Sequence, residues 1–367
     1  MSGDRPVRVL YFINGFHRGG AELGLLQMIR GGVFAGTDFT LAAAVGGPAD
    51  LIAQFEAAGA KPIIFDDRAK MRVSDMARAF PRLGRLIDET KPDVLILSLP
   101  QANIVGRIAG RMKRVPTIVA FEHNSVLARK AYTRLYRMTA GCVDVIFADC
   151  PETLRIVLDE HYAGKGPAKR YSVPLISLGA PPAHRVSPAP SLVMVGRMTP
   201  TKNHALAIRA ISLLRKRGED VRLTILGDGD LRGELEALAR EEGVADLVSM
   251  PGFKPQWWTH EAHTAFLLTS THEGLCIVAV EAMWAGLPVI APHIGGLVDY
   301  ADETTFVPLA DWKAQTVADA IARVVSDAPL RERLSTAAMA RVMEIYGADA
   351  VAANYGTLNQ AILSRFS

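Results

Sequence analysis

The stretch Ser270-Thr271-His272-Glu273-Gly274-Leu275-Cys276 joins two segments of different periodicity and decides the fold class. Residues 265–268, just before it, form a short apolar run typical of a buried strand. Residues 275–285 carry a helical pattern that ends at Gly286. Gly274 therefore lies where a strand passes into a helix N-terminus, whose first amides lack intrahelical partners and whose dipole attracts anions. This position suits a diphosphate.

Two glutamates accompany this helix start. Glu273 is in the loop, and Glu281 is about two turns into the helix. Eight residues of helix rise ~12 Å, which is too far for two carboxylates that share a proton across one bond. We interpret them as separate acceptors for hydroxyl groups of one elongated ligand. A strand–loop–helix unit with two solvated glutamates is the alternative that this stretch leaves open.

Apolar strands and helical intervals alternate along the whole chain, which predicts parallel sheets covered on both faces. Predicted strands of the first half are residues 7–13, 40–45, 62–65, 93–99, 117–121 and 144–148. After a proline-rich segment, predicted strands recur at residues 192–195, 221–226, 247–250, 266–268, 289–291 and 305–307. Two successive α/β halves are expected.

The domain boundaries follow from this alternation. We predict an N-terminal Rossmann-like domain at residues 1–180, a linker at 181–190 and a C-terminal Rossmann-like domain at 191–347. Residues 348–367 have a helical pattern. The total of 367 residues suffices for two domains with separate cores.

The composition, with 49% apolar and 22% charged residues, is that of a globular protein and excludes disorder. The three cysteines, Cys142, Cys150 and Cys276, have no metal-ligand spacing, which indicates a reduced chain. The amino terminus lacks an apolar signal core, and no apolar run approaches ~18 residues. We therefore expect a cytoplasmic protein that is neither secreted by that route nor membrane-spanning.

Positive charge is concentrated in the first half. Residues 1–180 hold 24 Lys and Arg against 17 Asp and Glu. Basic residues cluster on three predicted helices: Arg78, Arg82 and Arg85; Lys130, Arg134 and Arg137; Arg107, Arg111, Lys113 and Arg114. Such faces suit peripheral contact with an anionic membrane, and solvated helix faces are the alternative. No aromatic-basic reader motif supports nucleic acid as a partner.

The second half opens with the loop Gly196-Arg197-Met198-Thr199-Pro200-Thr201-Lys202-Asn203. Arg197 and Lys202 are spaced to converge on one side of this strand-to-helix loop. A guanidinium and an ammonium can form charge-assisted hydrogen bonds to a leaving diphosphate. The loop is therefore a candidate phosphate site.

Two further candidates lie in the first half. His123 follows the predicted strand 117–121 directly, and the carboxyl ends of parallel strands are where open α/β sheets bind ligands. Gly19 and Gly20 precede the first predicted helix and would let backbone amides approach a phosphate or sugar. The loop matches neither a dinucleotide fingerprint nor a P-loop. A structural histidine and a tight packing turn remain the alternatives.

These ordered elements resemble the donor site of the retaining glycosyltransferases of family 4, and the resemblance covers nearly the whole chain. It implies the GT-B fold, an α/β architecture of two Rossmann-like domains facing across a cleft, with a C-terminal helix crossing back to the first domain. It implies four catalytic residues: His123, Arg197, Lys202 and Glu273. The donor-binding residues that it implies are Gly19, Gly20, Asn203, Gly227, Gly229, Phe253, Lys254, Gly274, Leu275, Cys276 and Glu281.

The resemblance also bears on metal binding. Asp228-Gly229-Asp230 formally spells the Asp-x-Asp of metal-dependent transferases with another fold. GT-B enzymes use cationic side chains in place of a metal, and Asp230 also fits a helix N-cap. We therefore expect no metal ligands and no cofactor, the nucleotide-sugar being a substrate.

The function implied is a hexosyltransferase-type enzyme. It would move a sugar from a UDP- or GDP-linked donor to an acceptor hydroxyl, with retention at the anomeric carbon. The expected acceptor is a glycan or glycolipid, in bacterial polysaccharide or lipopolysaccharide assembly at the cytoplasmic face of the membrane. A nucleotide-sugar 2-epimerase of the same fold and a noncatalytic glycan- or lipid-binding subunit are the alternatives.

Overall fold

A computed structural model describes residues 5–17, 19–68, 71–123, 130–164, 166–183, 187 and 189–367. The chain divides into two compact units. Unit 1 comprises Met1–Ser177 together with Ala348–Ser367, and unit 2 comprises Leu178–Gly347. Some residues of the predicted motifs lie outside the described part: Arg18, Asn124, the Lys130 side chain, and positions 184–186 and 188 of the predicted linker.

The described residues of unit 1 form a seven-stranded parallel sheet with the order β3-β2-β1-β4-β5-β6-β7. Its strands are β1 (Val7–Ile13), β2 (Thr37–Ala43), β3 (Ile63–Ile64), β4 (Val94–Ser98), β5 (Thr117–Glu122), β6 (Val145–Ala148) and β7 (Lys169–Ser172). Every residue of β4 and β5 is buried. Central strands covered on both faces therefore read as continuous apolar runs.

Helices connect these strands, as parallel pairing requires. They are α1 (Gly20–Arg30), α2 (Ala49–Ala57), α3 (Asp75–Thr90), α4 (Pro100–Met112), α5 (Lys130–Met138) and α6 (Pro151–Glu160). The apolar core of unit 1 lies between the sheet and the faces of α3 and α4.

The described residues of unit 2 form a six-stranded parallel sheet with the order β10-β9-β8-β11-β12-β13. Its strands are β8 (Ser191–Val195), β9 (Arg222–Leu226), β10 (Val248–Gly252), β11 (Ala265–Leu267), β12 (Val289–Pro292) and β13 (Val307–Leu309). Its helices are α7 (His204–Lys216), α8 (Arg232–Glu241), α9 (Ile277–Trp284), α10 (Leu297–Tyr300), α11 (Ala314–Ser326) and α12 (Ala328–Tyr346).

The last helix, α13 (Ala348–Leu363), belongs to unit 1 although it follows unit 2 in the chain. The Tyr355 hydroxyl donates to the Pro174 carbonyl at 2.7 Å. The Asn359 amide donates to the carbonyls of Val33 and Ala35, each at 2.9 Å. These contacts tie the carboxyl-terminal segment to the first domain.

The predicted α/β class with two Rossmann-like halves is confirmed, and the differences are one missed edge strand and shifted bounds of individual strands and helices. The strand Lys169–Ser172 was not predicted, because its two basic residues are exposed at the edge of the sheet and carry no apolar pattern. The strand predicted at 305–307 is instead Val307–Leu309. Asp230 was predicted to cap a helix, but that helix begins at Arg232 after Leu231.

Each sheet reverses its strand order at one point. In unit 1 the reversal lies between β1 and β4, and in unit 2 it lies between β8 and β11. Ligands of open α/β sheets bind at such switch points, outside the carboxyl ends of the strands. Ligand-binding residues are therefore expected in the loops that follow β1, β4, β8 and β11.

The prediction of exposed basic faces is wrong for Arg107. Its side chain is fully buried, and its guanidinium Nη2 lies 2.7 Å from Glu122 Oε1. Arg111 on the same helix pairs with Asp144 at 2.5 Å. Arg134 and Arg137 on α5 are exposed, as predicted.

Among the described residues, no helix is both long enough and apolar enough to cross a membrane.

Candidate functional site

Two predicted catalytic side chains meet at the switch point of unit 2. Lys202 lies in the loop after β8, and Glu273 lies in the loop after β11. The Lys202 Nζ donates to Glu273 Oε1 at 2.6 Å, with 23% and 9% of the two side chains exposed. The pair joins neighbouring strands at the carboxyl edge, where a ligand would bind.

Backbone hydrogen bonds hold these two loops together. The Thr271 amide donates to the Thr201 carbonyl at 2.8 Å. The Thr269 hydroxyl is buried and donates to the carbonyls of Lys202 and Asn203 at 3.1 and 2.9 Å. The backbone beneath the Lys202–Glu273 pair is therefore fixed by contacts that do not involve either charge.

The glycines after β9 permit a close approach to the β8 loop. Gly227 has a φ of 133°, and a Cβ there would lie 2.1 Å from the Gly196 carbonyl oxygen. A Cβ at Gly229 would lie 2.5 Å from the Met198 carbonyl oxygen. Packing alone thus requires glycine at both predicted donor-binding positions.

The predicted phosphate loop, Gly274 to Cys276, lies immediately before α9. Helix α9 begins at Ile277, two residues later than predicted, because Cys276 takes a left-handed conformation with a φ of 61°. The buried Tyr300 hydroxyl lies 3.2 Å from the Leu275 carbonyl oxygen and 3.3 Å from that of Cys276. The Gly296 amide donates to the Gly274 carbonyl at 2.7 Å. These bonds shape a helix N-terminus of the kind that binds anions.

Glu281, on α9, has a different partner from Glu273. The indole N–H of Trp257 donates to Glu281 Oε2 at 2.9 Å. Burial raises the pKa of Glu281 to about 7, and the Trp257 N–H opposes this shift because it stabilises the carboxylate. The two glutamates thus have separate places and partners, Glu273 in the loop before α9 and Glu281 on α9 itself.

Other predicted donor-binding side chains of unit 2 are accessible. Arg197 is exposed, and no ion pair joins it to another residue in the described ranges. Phe253 and Lys254, after β10, are also exposed, with Phe253 at 58%. Asn203 takes a left-handed φ of 51° at the start of α7. The structure brings Lys202 to Glu273 but leaves Arg197 and Lys254 with open surroundings.

In unit 1, His123 lies directly after β5 at the carboxyl edge of the sheet. Its Nε2 is 2.9 Å from the Ser98 hydroxyl, at the end of neighbouring β4, and the ring is 8% exposed. Burial lowers the pKa of His123 to about 3, so the imidazole is neutral at physiological pH. A neutral imidazole can donate or accept one hydrogen bond at each nitrogen.

The predicted glycines of unit 1 lie at the N-terminus of α1. Gly19 is the residue before the helix, and Gly20 is its first residue. Asn14, in the same loop after β1, accepts a hydrogen bond from the Ala102 amide at 2.7 Å, which joins this loop to the N-terminus of α4. The switch point of unit 1 therefore collects Asn14, Gly19 and Ser98 along one sheet edge.

The Asp-x-Asp sequence lies in the loop after β9. Asp228 accepts a hydrogen bond from the Gly229 amide at 2.9 Å and lies 3.8 Å from the Arg232 guanidinium. Within the described ranges, no three His, Cys, Asp or Glu side chains are grouped so that they could hold a metal ion. Both contacts of Asp228 are with residues up to four positions away, as is usual for a side chain in a loop.

Several supporting residues escaped sequence reasoning. They are Trp257, which contacts Glu281; Tyr300 and Trp312, which contact the 270–276 loop; and Ser98, which contacts His123. The consecutive tryptophans Trp257 and Trp258, between the predicted strands 247–250 and 266–268, were a signal in the sequence for the first of these contacts. The other contacts depend on which strands are neighbours.

Two family models match the chain. The model described as "Glycosyl transferase 4-like domain" matches residues 19–173, and "Glycosyl transferases group 1" matches residues 183–341.

Curated relatives align with part of the chain. The 2-deoxystreptamine glucosyltransferase of Streptomyces kanamyceticus is 35% identical over 142 residues, which cover 38% of this chain and 37% of that protein. The lipopolysaccharide core biosynthesis glycosyltransferase of Rhizobium meliloti (strain 1021) is 35% identical over 165 residues, which cover 42% and 46% respectively. The chain thus spans less than half the length of these relatives.

Solved structures match nearly the whole fold. Anabaena HepE, in complex with UDP-glucose, has a TM-score of 0.77 and 18% identity, covering 97% of this chain and 98% of that chain. Sucrose-phosphate synthase from Thermosynechococcus elongatus has a TM-score of 0.81 and 16% identity, covering 98% and 99% respectively. These likenesses show the GT-B fold, and the family models span most of both units. The chain therefore belongs to the group 1 glycosyltransferases, with a family 4-like first domain.

Proposed function

We propose that this protein is a retaining glycosyltransferase that moves a sugar from a nucleotide-sugar donor to an acceptor hydroxyl. The observation that carries the proposal is the meeting of Lys202 and Glu273 at the switch point of unit 2, beside the N-terminus of α9. A cation, a carboxylate and helix amides at one edge provide for both ends of a sugar diphosphate. Family membership supports the same reaction.

Lys202 and Arg197 would stabilise the departing diphosphate. Negative charge grows on the leaving oxygen as the glycosidic bond breaks, and preorganised cations stabilise that charge. The Lys202 ammonium donates to Glu273, which orients it at the carboxyl edge. Arg197 is exposed and can turn toward a bound phosphate. We therefore assign the diphosphate to these two side chains and to the amides around Gly274–Cys276.

The remaining groups would hold the sugars of the donor. Glu273 would accept hydrogen bonds from hydroxyls of the transferred sugar, His123 would donate to or accept from one of these hydroxyls, and Glu281 would bind the ribose. Because burial keeps the pKa of His123 near 3, its role is hydrogen bonding, without proton transfer as an acid. We propose front-face reaction, in which the leaving phosphate takes the acceptor proton. No metal or cofactor enters this proposal.

A UDP- or GDP-linked sugar is the proposed donor. The solved HepE structures contain UDP and UDP-glucose, which supports a nucleotide-sugar and favours UDP as the first probe. The contacts proposed for the ribose and diphosphate are common to both nucleotides, and base recognition would fall to the loop around Phe253 and Lys254.

The proposed acceptor is a glycan or glycolipid in bacterial surface polysaccharide assembly. Relatives named for lipopolysaccharide core, amylovoran and colanic acid biosynthesis support this class. The proposed location is the cytoplasmic face of the membrane, where nucleotide-sugars and lipid-linked precursors meet.

A panel of UDP- and GDP-sugars tests the donor proposal by thermal stabilisation, since a ligand that binds only the folded state raises its melting temperature. Lys202→Ala should abolish the shift for the donor that stabilises the wild type and lower transfer by at least about 100-fold. Lys216→Ala is the matched control, because Lys216 is an exposed lysine of the same unit on α7. A fully active Lys202→Ala enzyme would contradict the assignment.

Product analysis separates the proposed reaction from its alternatives. Retention predicts that the anomeric configuration of the donor persists in the product, which NMR of the new glycosidic bond measures. Turnover of donor without any acceptor product would indicate a 2-epimerase instead. Binding of donor with no nucleotide release, across matched acceptors, would indicate a noncatalytic binding subunit.

Peripheral membrane contact is proposed for the surface formed by Arg134, Arg137 and Met138 on α5. Met138 is 71% exposed, beside the exposed Arg134 and Arg137. Exposed apolar and cationic side chains together suit an anionic bilayer. The protein should sediment with vesicles containing phosphatidylglycerol, and less so in high salt. Arg134→Ala/Arg137→Ala should lose this binding; equal binding to uncharged vesicles would refute the contact.

A further inference from the structure

Trp257 is a buried indole whose single polar atom points at one oxygen of Glu281. It lies in a short turn, Trp257–Thr259, between β10 and β11, and it is 3% exposed. Its ring packs against Phe266 of β11, with ring centroids 5.7 Å apart. The turn and the strand thus fix the position of the indole.

The indole N–H is a donor only, so it can satisfy an oxygen but cannot accept a proton. The Nε1–Oε2 distance of 2.9 Å is that of an ordinary hydrogen bond. With one lone pair of Oε2 so occupied, Glu281 Oε1 is the oxygen with more free capacity to accept hydroxyl hydrogens. A glutamate side chain otherwise has several rotatable bonds, and ordering them costs conformational entropy on binding.

We propose that Trp257 is a positioning residue that anchors Glu281 Oε2 and so presents Oε1 to the ribose hydroxyls of the nucleotide. The proposal rests on the assignment of Glu281 to the ribose under the proposed function. Trp257 itself touches no reacting atom. It acts on the Glu281 carboxylate, by fixing its orientation and by favouring the ionised form, which accepts hydrogen bonds.

The surroundings of Glu281 make this one hydrogen bond important. Burial favours the protonated carboxyl, and the Trp257 N–H is the group that opposes it. Helix α12 packs against α9, and its buried residues are Leu330, Leu334, Ala338, Val342 and Tyr346, all without a formal charge. At the start of α9, the Cys276 thiol is neutral because burial and the Glu273 charge raise its pKa. Lys202 is engaged by Glu273.

The test compares Trp257→Phe with Trp258→Phe. The first keeps an aromatic ring against Phe266 and removes the N–H, and the second removes a neighbouring indole N–H that does not contact Glu281. Infrared difference spectra over a pH series, assigned with Glu281→Gln, report the titration of the Glu281 carboxyl without any ligand. Trp257→Phe should move the midpoint upward from near 7 by about one pH unit, and Trp258→Phe should leave it in place.

The second readout is nucleotide affinity by calorimetry at pH above the Glu281 midpoint. The probes are UDP and GDP, each with its 2′,3′-dideoxy analogue. Whichever nucleotide the wild type binds more tightly is used, with its analogue, for all variants. Trp257→Phe should weaken the ribonucleotide about tenfold while changing the dideoxy analogue little. The ratio of the two dissociation constants, analogue to ribonucleotide, should therefore fall toward one in Trp257→Phe. In Trp258→Phe this ratio should equal that of the wild type.

The outcomes separate the inference from the proposed function. If the wild type binds and discriminates ribose, but Trp257→Phe matches Trp258→Phe in midpoint and discrimination, the positioning role is wrong and the function stands. If the wild type binds neither nucleotide, both are overturned. Should Trp257→Phe misfold, benzothienylalanine at position 257 keeps the bicyclic shape without the N–H, and the same two readouts apply.

Discussion

Replacing Arg107 with methionine should destabilise unit 1 far more than replacing any exposed arginine. The Arg107 Nη2 lies 2.7 Å from Glu122 Oε1 and 2.6 Å from the Tyr162 hydroxyl oxygen. The Tyr162 hydroxyl donates to the same Glu122 oxygen at 3.1 Å. The guanidinium carbon lies 4.1 Å from the centre of the Tyr136 ring. Methionine would fill part of the volume but leave Glu122 buried without its cation.

The magnitude follows from this burial. Removing one partner of a buried ion pair costs about 3–5 kcal/mol, since the other charge stays desolvated. Arg107 and Glu122 are 0% and 4% exposed at their side chains, so this range applies in full. Arg155→Met is the matched control, because Arg155 is 64% exposed and pairs with Glu152 on the same helix. Exposed pairs of this kind contribute about 0–1 kcal/mol.

The pH dependence adds a second check with a definite sign. Burial already raises the pKa of Glu122, and loss of Arg107 removes an interaction that lowers it. The folded variant then holds a proton that the unfolded chain releases at lower pH, so stability falls as pH rises from the unfolded pKa through the higher folded pKa. The defect of Arg107→Met should therefore shrink in acid.

Urea denaturation followed by far-UV circular dichroism measures the change. All four tryptophans lie in unit 2, so their fluorescence reports that unit separately. The double variant Arg107→Met/Glu122→Gln should recover part of the lost stability, because no buried charge remains. A shift of the urea midpoint no larger than that of Arg155→Met, or one that does not vary with pH, would refute this account of Arg107, Glu122 and Tyr162.

Two further predictions concern stability. Gly227→Ala should lower the free energy of unfolding by about 1–3 kcal/mol, because its Cβ would lie 2.1 Å from the Gly196 carbonyl oxygen. Gly233→Ala, on α8 with open space around it, should be neutral or stabilising in the same urea titration; equal effects would contradict the packing argument. In His123→Gln, the free energy of unfolding should fall less than in the wild type as the pH is lowered from 6.5 to 4. The buried imidazole of the wild type has a pKa of about 3 and stays neutral there, while the unfolded chain takes up a proton. An unchanged pH profile would show that His123 is not the titrating group.

Much of the fold follows from local pattern. Strand β1 was predicted with its observed bounds, Val7–Ile13, because its seven residues are almost entirely buried and apolar. Strand β7 was missed because its residues are polar or partly exposed and carry no apolar pattern. The resemblance to family 4 glycosyltransferases, drawn from ordered motifs, is confirmed at the level of family and fold.

The burial of Arg107 was beyond local pattern. Arg107 and Arg111 lie one turn apart on α4, and this spacing predicts a single exposed basic face. In the structure, Tyr136 and Tyr162 cover Arg107; Tyr136 lies on α5, after β5, and Tyr162 lies beyond β6, just after α6. Periodicity shows which residues share a helix face, but it does not show what packs against that face.

The alternation of strands and helices, the glycine turns and the family can all be predicted from local sequence pattern. Short-range sterics and periodic burial encode these features within windows of a few residues. The pairing of Lys202 with Glu273 and the hydrogen bond from Trp257 to Glu281 depend instead on tertiary contacts. Those contacts join residues 71 and 24 positions apart. They exist because the sheet order makes β8 and β11 neighbours and sets the turn after β10 against α9, and no local signal carries that order.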